Sequence, residues 1–251
     1  TVADPGATRG WMTTNALGNP VVLHQTSPQG LALAVCSDLS CSAVTIRTIT
    51  DQKVVAHAMA IGVDGRIFVA FADHAQLSIR LFRCADLACT SGATINEAPA
   101  QMTSNPQPFT EIDIAIPRDG RPVLVWQHQA NQDLEWARCT TPACNAFDRL
   151  QLDTEAAGFH AALAIGKDGL PFIVHGDEVR GMRMVKCLSA ACSDRSAHIL
   201  NGPMRAYSVS MGWDGLPLVA YEAGSGAGGG HALGVVKFAN PYASPFFSRQ
   251  G

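Results

Sequence analysis

Eight cysteines fall into four pairs with one spacing, Cys-x4-Cys. Two thiols at this spacing can close a hairpin as a disulfide in an oxidising compartment. Zinc is the alternative, but structural zinc sites prefer shorter spacings and draw two pairs to one point. Each pair here stands in a different repeat, so one metal could not collect them. We therefore predict four local disulfides in a secreted or periplasmic protein: Cys36–Cys41, Cys84–Cys89, Cys139–Cys144 and Cys187–Cys192.

Histidines carry the remaining chemistry of the chain. Imidazole binds zinc or copper, acts as a general base near neutral pH, and can stack on sugars. The chain has eight histidines. Which of them could act together depends on the strands that position them.

An internal repeat predicts where the strands lie. Residues 58–71, 113–126, 162–175 and 208–221 share one pattern, and residues 15–24 are a shortened copy. Each has an apolar run, a turn with Gly, and a second apolar run, and in the four full copies the turn reads Asp-Gly. This is a strong hairpin signal because Gly accepts positive φ. We predict that these Asp-Gly turns are structural and lie on the face opposite the histidines.

A third strand, the cysteine turn and a fourth strand follow each hairpin. Four short antiparallel strands per repeat are typical of a β-propeller, whereas helical repeats would show a 3.6-residue period. A sandwich would lack the fixed period. We predict an all-β fold, a single five-bladed propeller with blades at approximately 11–52, 53–107, 108–155, 156–202 and 203–251.

The fifth repeat departs from the others near its end. Its counterpart of the cysteine turn, Phe238–Ala243, contains no cysteine, so both partners are absent together. That joint loss supports pairing within each repeat. For the fourth strand of this blade we favour Ser244–Ser248 over Thr1–Thr8. Because no signal peptide precedes Thr1, we expect the chain to be the mature form of an exported protein.

The repeats resemble a family of bacterial exported propeller repeats, which read approximately IG-x-DG-x-P-x-V-x-Y followed by a C-x4-C hairpin. The matching residues include Ile165-Gly166, Asp168-Gly169, Pro171 and the Cys187/Cys192 pair. The resemblance implies architecture and no activity. A five-bladed arrangement is also similar to tachylectin-like lectins and to five-bladed glycosidases. Such glycosidases place an acid early in the first blade, and the stretch from Trp11 to Asn19 has none.

Seven of the eight histidines map to one predicted face, where first strands begin and second strands end. We call this the histidine face: His24, His57, His74, His128, His160, His175 and His231. His198 lies elsewhere, on an outer strand. Propeller ligands usually bind where loops from several blades meet. We predict ligand binding by His57, His160, Glu111, Tyr207, His24 and His175, and a possible Cu or Zn site at His57, His160 and Glu111.

Three functions follow as hypotheses. The first is a non-catalytic module that binds a small ligand, glycan or metal ion on the histidine face. The second is a lyase or hydrolase with a histidine base, Tyr207 as acid, and Arg205 or Arg180 holding an anionic substrate. The third is an accessory subunit of an exported assembly, with an exported protein as partner. Only 16% of residues are charged and the net charge is −3, so no nucleic-acid partner is expected. No apolar run is long enough to predict a membrane span.

Overall fold

The computed structural model describes residues 10–26, 29–99, 111–128, 130–155, 158–177, 181–200, 204–224 and 231–241. In these ranges every regular element is a β-strand, and none is a helix that could span a membrane. The strands form five antiparallel sheets in chain order.

The first two sheets hold eight strands. These are β1 (Gly10–Thr14), β2 (Pro20–Gln25), β3 (Leu31–Cys36), β4 (Val44–Thr50), β5 (Val54–Ile61), β6 (Ile67–Asp73), β7 (Ser78–Cys84) and β8 (Gly92–Pro99). The third sheet holds β9 (Ile112–Ala115), β10 (Val123–Gln127), β11 (Leu134–Cys139) and β12 (Phe147–Asp153). The fourth holds β13 (Ala162–Ile165), β14 (Pro171–Asp177), β15 (Gly181–Cys187) and β16 (Arg195–Leu200). The fifth holds β17 (Met204–Met211), β18 (Pro217–Gly224) and β19 (His231–Lys237).

These sheets are the blades of a five-bladed β-propeller, which confirms the predicted fold class. Four of them have four strands, and the fifth has three within the described residues. The segments weighed for its fourth strand, Ser244–Ser248 and Thr1–Thr8, lie outside the described residues.

The chain divides into two compact units. The first comprises Thr1–Leu124, His128–Ala130 and Arg138–Phe147, and the second comprises Val125–Gln127, Asn131–Ala137 and Asp148–Gly251. The description of the whole chain as one domain with the blade bounds given above stays a prediction.

Each unit buries apolar residues between successive sheets. In the first unit Leu23 and Leu33 of the first sheet share a buried cluster with Met59, Val69 and Phe71 of the second. In the second unit the fourth and fifth sheets pack in the same way, through residues such as Phe172, Val174, Met184 and Val219. Alternation along the strands sends one set of side chains to the preceding sheet and the other set to the following one.

The Asp-Gly turns are held by their own aspartates. The carboxylate of Asp64 accepts the Arg66 backbone N–H at 3.1 Å and pairs with Arg83, which lies on the third strand, at 2.7 Å. The same arrangement recurs in the third, fourth and fifth sheets as Asp119–Arg138, Asp168–Lys186 and Asp214–Lys237. These contacts support a structural role. The sequence carried a signal for them that we missed: in the second to fourth repeats the basic residue directly precedes the first cysteine.

Glycine in these turns is required by backbone conformation. Gly65 and Gly169 have φ of +77° and +78°. A Cβ on Gly65 would lie 2.8 Å from Leu87 Cδ2 and 2.9 Å from Ala16 Cβ, whereas one on Gly169 would meet nothing within 4 Å.

This contrast separates backbone strain from packing. We expect Gly169→Ala to lower the free energy of unfolding by about 1 kcal/mol, since it places a side chain in the left-handed region. Gly65→Ala should cost roughly 1 kcal/mol more because it also displaces Leu87 and Ala16. Urea unfolding of both variants measures the difference. Equal losses would mean that the Gly65 turn does not depend on close packing.

All four predicted disulfides are formed, and no cysteine is free. Each closes the turn between the third and fourth strands of its sheet. The second cysteine of each pair has φ near +55°, and its backbone N–H bonds to the residue three positions earlier, as from Cys41 to Asp38 at 3.1 Å. Neighbouring sheets also contact these turns, because Asn96 of β8 donates to the Cys144 carbonyl at 2.9 Å.

A matched double replacement tests the contribution of one such turn. Cys84→Ala/Cys89→Ala should lower the free energy of unfolding by about 2 kcal/mol, the loop-closure value for so short a loop. Urea unfolding measures it. No loss of stability would indicate that strain in the closed turn offsets the loop-closure gain.

Candidate functional site

Two of the predicted histidines, His57 and His175, belong to rows of paired residues that cross the second and fourth sheets. In the second sheet the row is His57, Phe71, Arg80 and Glu97, on β5, β6, β7 and β8 in turn. Residues directly opposite one another in an antiparallel sheet share a face. Phe71 packs in the cluster with the first sheet, so the whole row, including His57, lies on the face toward that sheet.

The structure places His57 in the interior of a strand. It is the fourth residue of β5, and its side chain is only 6% exposed. The prediction placed it where a first strand begins. The register instead makes His57 part of the packing between two sheets.

The outer residues of the row in the second sheet form ionic contacts. Arg80 pairs with the fully buried carboxylate of Asp73 at 3.1 Å and approaches Glu97 at 3.8 Å. The other Asp73 oxygen accepts the backbone N–H groups of Ala75 and Gln76, which closes the turn after β6. A carboxylate so engaged has little capacity left for a ligand.

The row of the fourth sheet contains His175 and Arg183, which are paired across β14 and β15. His175 is fully buried, and its Nε2 lies 3.7 Å from the carboxylate of Asp153 on β12. Arg183 bonds to that carboxylate at 2.8 Å and to Glu155 at 2.5 Å. His175 thus lies beside the ion pairs that Arg183 forms between the third and fourth sheets.

Asp153 is ionised in these ion pairs. Burial opposes its ionisation, but the Glu155 backbone N–H, His175 and Arg183 together hold the pKa of Asp153 below its usual range. A carboxylate whose folded pKa is depressed stabilises the fold above its unfolded pKa, and that contribution is lost as the pH falls through the folded pKa.

Replacement of this carboxylate tests these ion pairs. Asp153→Asn should lower the free energy of unfolding at neutral pH by about 2–3 kcal/mol, because Arg183 loses a partly buried partner. The control is Asp148→Asn, an exposed aspartate on the same strand, which should change it by less than about 0.5 kcal/mol.

The pH dependence gives a second readout. The stability of the unmodified protein should fall as the pH drops below about 4, the unfolded pKa of aspartate. The Asp153→Asn variant should show a shallower acid-side slope in urea unfolding. Parallel slopes would exclude Asp153 as a source of acid sensitivity.

A ring occupies the same second-strand position in every sheet. The residues are His24, Phe71, Trp126, His175 and Tyr221. Trp126 is fully buried and has the Arg149 guanidinium 5.6 Å from its ring centroid, while Tyr221 packs in the cluster of the fifth sheet. A ring therefore recurs at this position in all five repeats. This signal was visible in the sequence, because each aligned segment ends on one of these five residues.

Two imidazoles of the first unit are among the side chains with a buried polar atom that has no hydrogen-bond partner within the described residues. His24 is 7% exposed; its Nδ1 lies 3.4 Å from the Gln25 carbonyl, and its Nε2 is buried with no hydrogen-bond partner among the described residues. His74 follows β6, and its backbone N–H bonds to the Lys53 carbonyl at 3.0 Å. Its Nε2 is also buried, with no partner within the described ranges. Buried polar atoms are normally hydrogen-bonded, and a ligand or an ordered water can provide the missing partner.

The remaining predicted site residues are distributed as follows. His160 is half-buried in a turn before β13, with φ +54° and a tilted ring contact to Phe159 at 6.5 Å. Glu111 is half-buried just before β9. The side chain of Tyr207 lies outside the described part of the structure.

No group of three or more His, Cys, Asp or Glu side chains among the described residues is arranged to hold a metal ion. His57 and Glu111 belong to the first unit and His160 to the second. The three-ligand site that joins them stays a prediction.

Comparisons with known proteins identify the fold. No protein-family model and no curated protein matches the chain. A protein of unknown function from Dyadobacter fermentans is similar with a TM-score of 0.66 and 14% identity, over 91% of this chain and 75% of that one. A PL25 ulvan lyase, solved with a GlcA(1-4)Rha3S ligand, gives a TM-score of 0.63 and 13% identity, over 96% and 72%.

An exo-β-1,3-galactanase from Clostridium thermocellum gives a TM-score of 0.56 and 11% identity, over 96% of this chain and 60% of that one. At such identities these likenesses show the fold alone. The chain spans about 60% of the galactanase and about three quarters of the other two structures.

Proposed function

We propose that this protein is an exported, non-catalytic glycan-binding module that binds sugar at the histidine face. The observation that carries the proposal is the pair of buried, unpartnered Nε2 atoms of His24 and His74. A sugar hydroxyl both donates and accepts hydrogen bonds, so it can satisfy such a nitrogen in either tautomer.

The location of these two histidines supports a binding role. His24 is on β2 one residue before its end, and His74 is in the turn that follows β6. Loops at strand ends carry ligand sites more often than the scaffold beneath them. In this proposal His57 and His175 are buried members of the packing rows, while His160, Glu111 and Tyr207 are further candidates for ligand contact.

Similarity to glycan-acting propellers supports the ligand class. The named neighbours include an ulvan lyase and an exo-β-1,3-galactanase, and their names concern polysaccharide substrates. Because the likeness extends only to the fold, it raises the expectation of a glycan and not of a particular one. The four disulfides support an exported location, where polysaccharides are encountered.

The state of two carboxylates, Asp73 and Asp153, favours binding over hydrolysis. Glycoside hydrolysis ordinarily requires two free carboxyl groups across the scissile bond. Here Asp73 is engaged by Arg80, and Asp153 by Arg183 and His175. The stretch from Trp11 to Asn19, where five-bladed glycosidases place an early acid, has no carboxylate.

The proposal is tested by calorimetric titration with ulvan fragments and β-1,3-galacto-oligosaccharides. The double variant His24→Ala/His74→Ala should weaken binding by about tenfold or more, since two hydrogen bonds are worth about 1–3 kcal/mol. The control is His198→Ala, on the outer strand β16, where the ring already bonds to Ser196 at 2.9 Å. It should bind like the unmodified protein.

The outcomes separate the alternatives. Equal binding by the double variant and the control would overturn the assignment of the site to His24 and His74. Release of unsaturated uronate or new reducing ends during the titration would overturn the non-catalytic assignment and favour the lyase or hydrolase, for which Tyr207→Phe is the next variant. Stoichiometric copper or zinc in protein purified without chelator would favour the metal site at His57, His160 and Glu111.

A further inference from the structure

A tryptophan stands fully exposed at the tip of one Asp-Gly turn. Trp213 lies between β17 and β18, and its relative exposure is 100%. The same turn position carries Val63 in the second sheet, Arg118 in the third and Lys167 in the fourth. An aromatic ring at this position is therefore peculiar to the fifth sheet and is not a requirement of the repeat.

Several polar contacts hold the turn that carries Trp213. Gly212 donates to the Leu216 carbonyl at 2.8 Å, and Gly215 donates to the Gly212 carbonyl at 2.8 Å. Asp214 accepts the Leu216 N–H at 3.0 Å and pairs with Lys237 at 2.5 Å. Because the backbone is already ordered, a ligand that contacts the indole pays little conformational entropy for the turn.

A lysine from the fourth sheet lies against the same turn. The Lys167 stem crosses Gly215, where a Cβ would lie 2.8 Å from its Cδ, and its ammonium donates to the Trp213 carbonyl. Both sheets belong to the second unit. The two neighbouring aspartates have basic partners of their own, since Asp168 pairs with Lys186 and Asp214 with Lys237.

The charge left without an opposite partner at this turn is therefore positive. Lys167 is exposed, and within the described residues it has no carboxylate partner. An ammonium has three donors, and the Trp213 carbonyl accepts one of them. Two remain for an anionic group held near the ring.

We propose that Trp213 and Lys167 form a binding site for a carboxylated sugar, such as a uronic acid unit of an acidic polysaccharide. The indole stacks on the apolar C–H face of the sugar ring, and the Lys167 ammonium binds its carboxylate. This site lies at the Asp-Gly turns and is separate from the histidine face, so it does not depend on the function proposed there.

The test uses a substitution that the repeat already tolerates. Trp213→Val installs the residue found at the equivalent turn position, Val63, so the turn should fold normally. Oligogalacturonate and a neutral galacto-oligosaccharide of equal length are titrated into the protein, and binding is followed by calorimetry and tryptophan fluorescence. The matched control is Val63→Ala, in the equivalent turn of the second sheet.

In the unmodified protein we expect the uronate to bind more tightly than the neutral sugar and to change the emission of Trp213. Trp213→Val should weaken uronate binding by about tenfold, the upper range for one aromatic contact, and remove the fluorescence change. Lys167→Gln should keep the fluorescence change but reduce the preference for uronate about threefold to fivefold, as expected for an exposed ion pair. Val63→Ala should leave binding unchanged.

Unchanged uronate binding by Trp213→Val with an unchanged melting temperature would overturn the proposal. So would equal preference for uronate and neutral sugar in the unmodified protein. The His24→Ala/His74→Ala variant distinguishes this site from the histidine face, because it should retain the Trp213 emission change whether or not sugar binds at the histidines.

Discussion

The packing of one sheet against the next determines which residue types each strand can have on its faces. A short four-stranded sheet is stable only when its faces are covered, and here the cover is another sheet. In the first unit, Phe71 of the second sheet packs with Leu23 of the first. In the second unit, Tyr221 of the fifth sheet packs with Val174 of the fourth. In these two pairs the ring at the end of the second strand contributes to that cover.

The same constraint explains why polar groups on these faces occur in satisfied networks. A buried charge without a partner is costly, so an arginine in the row requires a carboxylate within reach. Arg183 finds Asp153 on the adjoining sheet, whereas Arg80 finds Asp73 at the end of the neighbouring strand. The Asp-Gly turns pair charges in the same way near solvent. Asp64, for example, both closes its turn and binds Arg83. Not every buried polar atom is paired: within the described residues, the Nε2 atoms of His24 and His74 have no hydrogen-bond partner, and neither do the indole N–H groups of Trp126 and Trp136. The two histidines are the candidates for ligand contact because they also stand near or beyond the ends of second strands.

The two proposed sites bind sugar through different kinds of interaction. Imidazole nitrogens at the ends of second strands offer directional hydrogen bonds from a largely buried position. Trp213 offers an exposed stacking surface with a cation beside it, on a turn whose conformation is already determined by hydrogen bonds. A module with both would contact a long polysaccharide at more than one point, which raises avidity when both contacts can form at once.

The sequence by itself determined the repeat, the strand order within each sheet, the Asp-Gly turns and the four disulfides. These depend on local spacing: alternation along a strand, Gly where φ is positive, and cysteines five positions apart need no information from distant residues. Only the tertiary structure decided which faces of their sheets His57 and His175 occupy. The repeat pattern places His57 and His175 near the ends of predicted strands. In the structure the strand register turns both side chains toward a neighbouring sheet, where His175 meets Asp153. Contacts between sheets join residues of different repeats, so neither the partner nor the burial of a side chain can be read from its own repeat.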